Sequence, residues 1–290
     1  MRKQLFADLS LLIVVIVWGY TFVAIKNALA GITPFNFIAI RFTIALLILL
    51  VVFRKRLSGL DKFTFLRGSI VGIFLFFAYA FQTVGLKYTT ASNAGFITGF
   101  SVVLVPVFSA LILKARPSAE SIIGVSCAIA GLFFLSYNEG YVINKGDILV
   151  FFCALAVAFH ILSVGHYTKK TDSILLTIVQ IGAVTILSII CALLFEEPAI
   201  PGDAVVWEAI FITSIFATVG AYLIQNIMQR FTSSTHTALI FSGEPVFAGI
   251  FGYCLLGERL GGWSVLGCIL ILAGMVISEL RFSGREDTDY

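Results

Sequence analysis

The sequence predicts an all-α integral membrane protein with ten transmembrane helices, on three observations. Hydrophobic residues make up 59% of the 290 positions and charged residues 12%, and the mean hydropathy of +1.03 is far above that of a soluble domain. The apolar residues gather in runs close to the roughly 20 residues a helix needs to cross a bilayer core about 30 Å thick. Short polar turns separate these runs, and none alternates with period two over about ten residues, which excludes an outer-membrane barrel.

Taken in order, the first span is Leu9 to Leu29. No small-residue cleavage site follows it, so it reads as a retained helix and not a signal peptide. Thr33-Pro34 turns the chain into the second span, Phe35 to Phe53, and the basic loop from Arg54 to Arg67 leads to the third, Gly68 to about Leu86. The fourth runs from about Ser92 to Leu113, Lys114 to Glu120 is a polar turn, and Ser121 to Tyr137 is a short fifth. A polar linker from Asn138 to Asp147, with Gly140 and Gly146, joins the halves. Five more spans are expected at about Ile148–Tyr167, Ile174–Phe195, Ala204–Gln229, Thr237–Leu256 and Gly262–Leu280. The units are therefore 1–137, 146–280 and a polar tail at 281–290.

With the N-terminus inside, most of the nineteen lysines and arginines fall in cytoplasmic segments, leaving Lys26, Lys87, Lys145 and Arg259 outside. The positive-inside rule then places both termini in the cytoplasm and the chain in the inner, or plasma, membrane. The basic residues flank the membrane and do not point to nucleic acid. The five cysteines lie in apolar runs without paired spacing, so packing is expected and neither disulfides nor a metal. No cofactor motif is present, and the sequence leaves the oligomeric state open, a monomer being compatible with it.

The halves resemble each other. At an offset of 143 residues Ala78-Tyr79, Gln82, Lys87-Tyr88 and Thr89 fall opposite Ala221-Tyr222, Gln225, Arg230-Phe231 and Thr232, and Gly124 and Gly131 fall on Gly267 and Gly274. Pro106-Val107-Phe108 matches Pro245-Val246-Phe247 at 139, which asks for compensating gaps. Five spans per half is an odd number, so the second repeat enters the membrane in the opposite sense. Inverted repeats suit transport, because they give related conformations open to either side of a midplane site.

One carboxylate, Glu244, sits inside a span, where an acid costs at least roughly 3 kcal/mol unless it meets water, a donor or a proton. It reads either as part of a polar pathway or as a protonated packing residue. Pro245 beside it, like Pro106 in the fourth span, is a kink site. Tyr79 with Gln82 and Tyr222 with Gln225 share helix faces and either line a solute path or bond helices together. His160, mid-span, is a candidate proton carrier with Glu244, or a neutral hydrogen-bonded side chain. Trp18 offers an aromatic face, Asn93 and His236 read as helix-end residues, and Arg41 reads as snorkelling to the headgroups.

Trp18-Gly19 with Lys26, Pro34, Arg41-Phe42, Gly146-Asp147, Glu244-Pro245-Val246 and Gly257-Glu258-Arg259-Leu260 together resemble the ten-helix EamA-type transporters of the drug/metabolite transporter superfamily. That resemblance implies two inverted repeats, a cavity lined by the first, third, fourth, sixth, eighth and ninth spans, and movement of small metabolites, often export of amino acids or related compounds. It also supports Trp18 as a binding residue. The first half has Lys114-Ala115-Arg116-Pro117 where the second has its Gly-Glu-Arg turn.

The expected partners are a small-molecule solute and the lipid bilayer, and the expected substrate-binding set is Trp18, Tyr79, Gln82, Tyr222, Gln225 and Glu244. No GxxxxGK[ST] loop points to ATP, and no nucleophile-base pair or HExxH points to an enzyme. Import of a cationic metabolite with Glu244 as counter-charge, and a non-transporting sensor or scaffold, are the alternatives.

Overall fold

The computed structural model describes residues 2–114, 119–136, 144–257 and 262–279, and among these every regular element is helical. We label them α1 (Arg2–Ala28), α2 (Pro34–Val52), α3 (Lys62–Leu86), α4 (Asn93–Ile112), α5 (Ala119–Ser136), α6 (Lys145–Tyr167), α7 (Ser173–Phe195), α8 (Ala204–Phe231), α9 (Ser234–Leu255) and α10 (Gly262–Glu279). Eight are long and apolar enough to cross a membrane, α5 and α10 being the shorter apolar helices.

The helix starts are set by polar residues that satisfy the N–H groups a first turn leaves unpaired. Pro34 opens α2, where its missing N–H costs nothing. Asp61, Thr90, Asp172, Asp203 and Ser233 accept from the first turns of α3, α4, α7, α8 and α9. The hydrogen bonds from Thr64 hold the Asp61 carboxyl below its usual range. Asn144 and Asp147 close a capping box on α6. Gly146 and Asp147 are therefore helical, and the linker expected to reach Asp147 ends by Asn144; Gly140 and the tail 281–290 lie outside the described residues.

Close backbone approach at glycines packs the bundle. A Cβ on Gly131 would meet the Gly267 carbonyl at 2.6 Å, and one on Gly274 would meet the Gly124 carbonyl at 2.6 Å. With Gly124 equivalent to Gly267 and Gly131 to Gly274, these two contacts exchange into each other, as a two-fold axis between the halves requires. α4 is interrupted at Phe100 and α9 at Ser242–Gly243, again 143 residues apart. The same offset thus runs through both broken helices without the gaps that the Pro-Val-Phe match at 139 asked for. It places Ser101 opposite Glu244.

The interruptions sit at mid-bundle. The second half of α9 begins at Glu244-Pro245, where proline has no N–H to continue the ladder. Pro106 lies inside the second half of α4, which passes into a π-helical turn at Ser109–Leu113. A second π-helical turn, Ile215–Gly220, divides α8.

One residue departs from its expected place. Arg41 does not reach for the headgroups: it is 1% exposed, turned inward against the π-helical turn of α8. Its Nε donates to Thr218 Oγ1 at 2.8 Å and its Nη2 to Tyr79 Oη at 3.1 Å and the Ala217 carbonyl at 3.4 Å. Its guanidinium also lies 4.7 Å from the Tyr79 ring centroid. Hydrogen-bond acceptors in the protein interior replace the water it would otherwise seek.

Candidate functional site

The broken helices and α1, α3, α6 and α8 surround a cavity of about 50 Å³. Its lining comes from α1, α3, α4, α6, α8 and α9, the six spans expected from the family resemblance. That volume holds a few waters, while sites for drug-sized ligands occupy roughly 300–1,000 Å³.

All six candidate binding residues, Trp18, Tyr79, Gln82, Tyr222, Gln225 and Glu244, reach this one cavity, and so does His160. Helical spacing is the cause: Tyr79 and Gln82, like Tyr222 and Gln225, are three residues apart and share a face. The repeat adds the rest, since the equivalent tyrosines meet directly, Tyr222 Oη donating to Tyr79 Oη at 2.9 Å. Gln82 Nε2 lies 3.4 Å from Thr98 Oγ1. Trp18 is fixed by donating from Nε1 to the Ala217 carbonyl at 3.0 Å, and its ring packs on Tyr222 (centroids 5.5 Å) and Phe241 (5.0 Å).

Glu244 stands in the first turn of a half-helix, where unpaired N–H groups and the helix dipole favour negative charge. Among the described residues its carboxylate accepts no hydrogen bond and has no cation within ion-pair distance. His160 shares the cavity without touching it: His160 Nε2 lies 3.0 Å from Gln180 Oε1 of α7, and its ring sits edge-on to Tyr222.

At the end of the bundle where α1 and α3 finish and α4 and α6 begin, the elements are tied together. Lys26 Nζ donates to the Leu86 carbonyl at 2.5 Å and the Thr89 carbonyl at 2.8 Å, capping α3. Thr89 Oγ1 donates to Asp147 Oδ1 at 2.6 Å. At the opposite end, His236 Nε2 of α9 lies 3.5 Å from Asp8 Oδ1 of α1, both nearly fully buried. His236 is thus a helix-end residue, as expected, but packed inward on an acid rather than left at a rim.

A family model for the EamA-like transporters matches residues 5–137 and again 144–280. The chain belongs to the EamA-like transporter family. An uncharacterized transporter of Archaeoglobus fulgidus is 40% identical over 279 residues, covering 96% of this chain and 87% of the relative. A probable amino-acid metabolite efflux pump of Salmonella typhimurium is 25% identical over 293 residues, covering 95% of each chain. A crystal structure aligns with a TM-score of 0.75 at 19% identity over 94% of this EamA-family chain and 96% of the other, which shows a shared fold. The homologues are transporters by name, and the protein is a multi-pass membrane transporter.

Sequence reasoning missed Arg41 as an interior residue, Asp8 as a buried acid, and Thr98 and Cys153 as lining. Arg41 carried a signal nonetheless: an arginine seven residues inside a helix that starts at Pro34 is deep for a headgroup contact.

Proposed function

We propose that the protein is a secondary transporter that exports a small polar metabolite, an amino acid or a close relative, by alternating access across the cell inner membrane. Ten spans arranged as two inverted five-helix repeats, 1–137 and 146–280, with both termini cytoplasmic, make up the machine. The observation that carries the reading is the Glu244 carboxylate, with no protein partner among the described residues, set in a cavity at the break of α9. An intramembrane acid without a structural partner waits for a solute or a proton. The exchanged glycine contacts and the Tyr79–Tyr222 bond support a two-fold relation between halves, and the efflux pump among the relatives supports the solute class.

The cavity is too small for a whole metabolite, so the solute enters only when one end of the bundle parts. The Lys26–Thr89–Asp147 cluster and the Asp8–His236 pair are the contacts that would part in turn. In liposomes, Glu244→Gln is expected to fold and to lose solute counterflow or its pH dependence, with a fall of about tenfold or more in rate. Unchanged counterflow with an unchanged pH profile would remove Glu244 from the mechanism.

A second reading is import of a cationic metabolite, favoured by the aromatic wall of Trp18, Tyr222 and Phe241 on the same cavity as Glu244. An amine that outcompetes amino acids for uptake would select it.

A further inference from the structure

At the end of the bundle where α2 and α6 finish and α3 and α7 begin, two loops are held side by side. The first belongs to the segment matched over 5–137 and the second to the segment matched over 144–280. Gly68 lets α3 approach α7, since a Cβ there would lie 2.6 Å from that of Val179. The Arg56 guanidinium then crosses to the Asp172 carboxylate, Nη1 to Oδ2 at 2.7 Å. Arg67 makes a second crossing: its Nη1 donates to the Lys170 carbonyl at 3.3 Å. Its guanidinium carbon lies 5.8 Å from the Phe63 ring centroid and 5.9 Å from that of Tyr167, one ring from each side of the joint. The Lys170 ammonium is itself placed, with Nζ 3.0 Å from His166 Nε2.

Charge at this joint is one-sided. Residues 54–67 and 166–172 hold seven lysines and arginines against two acids, Asp61 and Asp172. Both acids are engaged within the joint, Asp61 as the cap of α3 and Asp172 as the cap of α7 and the partner of Arg56. Apolar surface adjoins the cations directly. Phe63, Leu66 and Arg67 are spaced to share one face of α3, and Leu66, Ile73 and Phe77 continue it along the helix as an exposed stripe. A soluble anion would use the charge and leave the stripe unused, whereas a lipid with a charged phosphate uses both.

We infer that this joint binds an anionic phospholipid, its phosphate on Arg67 and Lys170 and an acyl chain along Leu66, Ile73 and Phe77. Arg67 suits the role because a guanidinium offers five N–H donors in a planar fork matched to phosphate oxygens, and the Lys170 carbonyl takes one of them. The site lies apart from the solute cavity and does not depend on which solute is carried. A lipid seated there bridges the two matched segments at one end of the bundle.

The test titrates the delipidated full-length protein in detergent micelles with phosphatidylglycerol, and separately with phosphatidylcholine of the same acyl chains, whose choline cancels the phosphate charge. Bound lipids are counted by native mass spectrometry. Wild type is expected to bind its first phosphatidylglycerol about tenfold more tightly than its first phosphatidylcholine. The double variant Arg67→Gln, Lys170→Gln should bring that ratio near one, and Lys62→Gln with Lys170→Gln, both exposed, should lower it several-fold if the first pair does not fold. Lys114→Gln with Arg230→Gln removes the same charge from exposed positions at two other helix ends and should leave the ratio unchanged. Equal affinity for the two lipids in wild type, a preference kept in the folded variants, or an equal loss in the Lys114, Arg230 pair overturns the site. Displacement of the lipid by millimolar sn-glycerol 3-phosphate would also overturn it, in favour of a soluble phosphate.

Discussion

Arg41 and Glu244 are two ionisable residues inside the bundle, and each is handled by different physics. Arg41 is supported from three sides by Thr218, Tyr79 and the Ala217 carbonyl, so its removal strands those groups. Arg41→Met is expected to lower the melting temperature in detergent, by about 1–3 kcal/mol for each neutral acceptor left unsatisfied. Glu244 has no such partners among the described residues, and Glu244→Gln should leave the melting temperature within about 1 kcal/mol of wild type. A scan of both variants checks the contrast, and equal destabilisation would mean that Glu244 is a structural acid after all. Trp18→Phe removes the bond to Ala217 but keeps most of the ring packing on Tyr222 and Phe241. It should cost about 1 kcal/mol. At this scale the sequence revealed Glu244, the tyrosines and the glutamines, because a polar residue inside an apolar run is visible by contrast. It marked the depth of Arg41, seven residues inside α2, but not what the side chain meets, because nothing in the residue string marks the π-helical turn of α8 that receives it.

Helices α5 and α10 meet through the exchanged pair Gly131–Gly267 and Gly124–Gly274, where backbone faces backbone. Small residues at such crossings let van der Waals packing act where lipid offers no hydrophobic drive. Gly131→Val would force its side chain against the Gly267 carbonyl and should cost about 1–3 kcal/mol, read as a lower melting temperature. Gly257, whose φ of +66° ends the second half of α9 in the left-handed region with open space around it, should resist alanine for backbone reasons alone. The start of α3 is pH-sensitive in a definite sense. Because the Asp61 carboxyl is held below its unfolded range, its contribution is full above that range and is lost as pH falls through the lowered value. Element positions were legible from hydropathy and from caps such as Asp61, Asp172 and Ser233. The extension of α1 back to Arg2, which brings Asp8 onto His236, was not, because charged flanks read as loops.

For the whole molecule, the central feature is the cavity, with side-chain ties at both ends of the bundle. Cys153 is buried, lines that cavity and lies 3.9 Å from Thr98 Oγ1, so it reports on opening. In a variant whose other four cysteines are replaced by alanine, Asp147→Ala should raise the rate of Cys153 alkylation by a small membrane-permeant maleimide several-fold, because the tie from Thr89 is lost. An unchanged rate would mean that this end stays shut by other contacts. The offset of 143 residues made the relation between the halves readable in the sequence, but the single-sided charges were not part of it: Glu244 faces Ser101 across the repeat. The measurement that tests the account most directly is solute-dependent thermal stabilisation of the purified protein by individual L-amino acids, repeated with Glu244→Gln. Stabilisation of the wild type by a subset of amino acids, lost in the variant, is the expected result; equal stabilisation of both proteins, or none of either, would contradict a binding site built around Glu244.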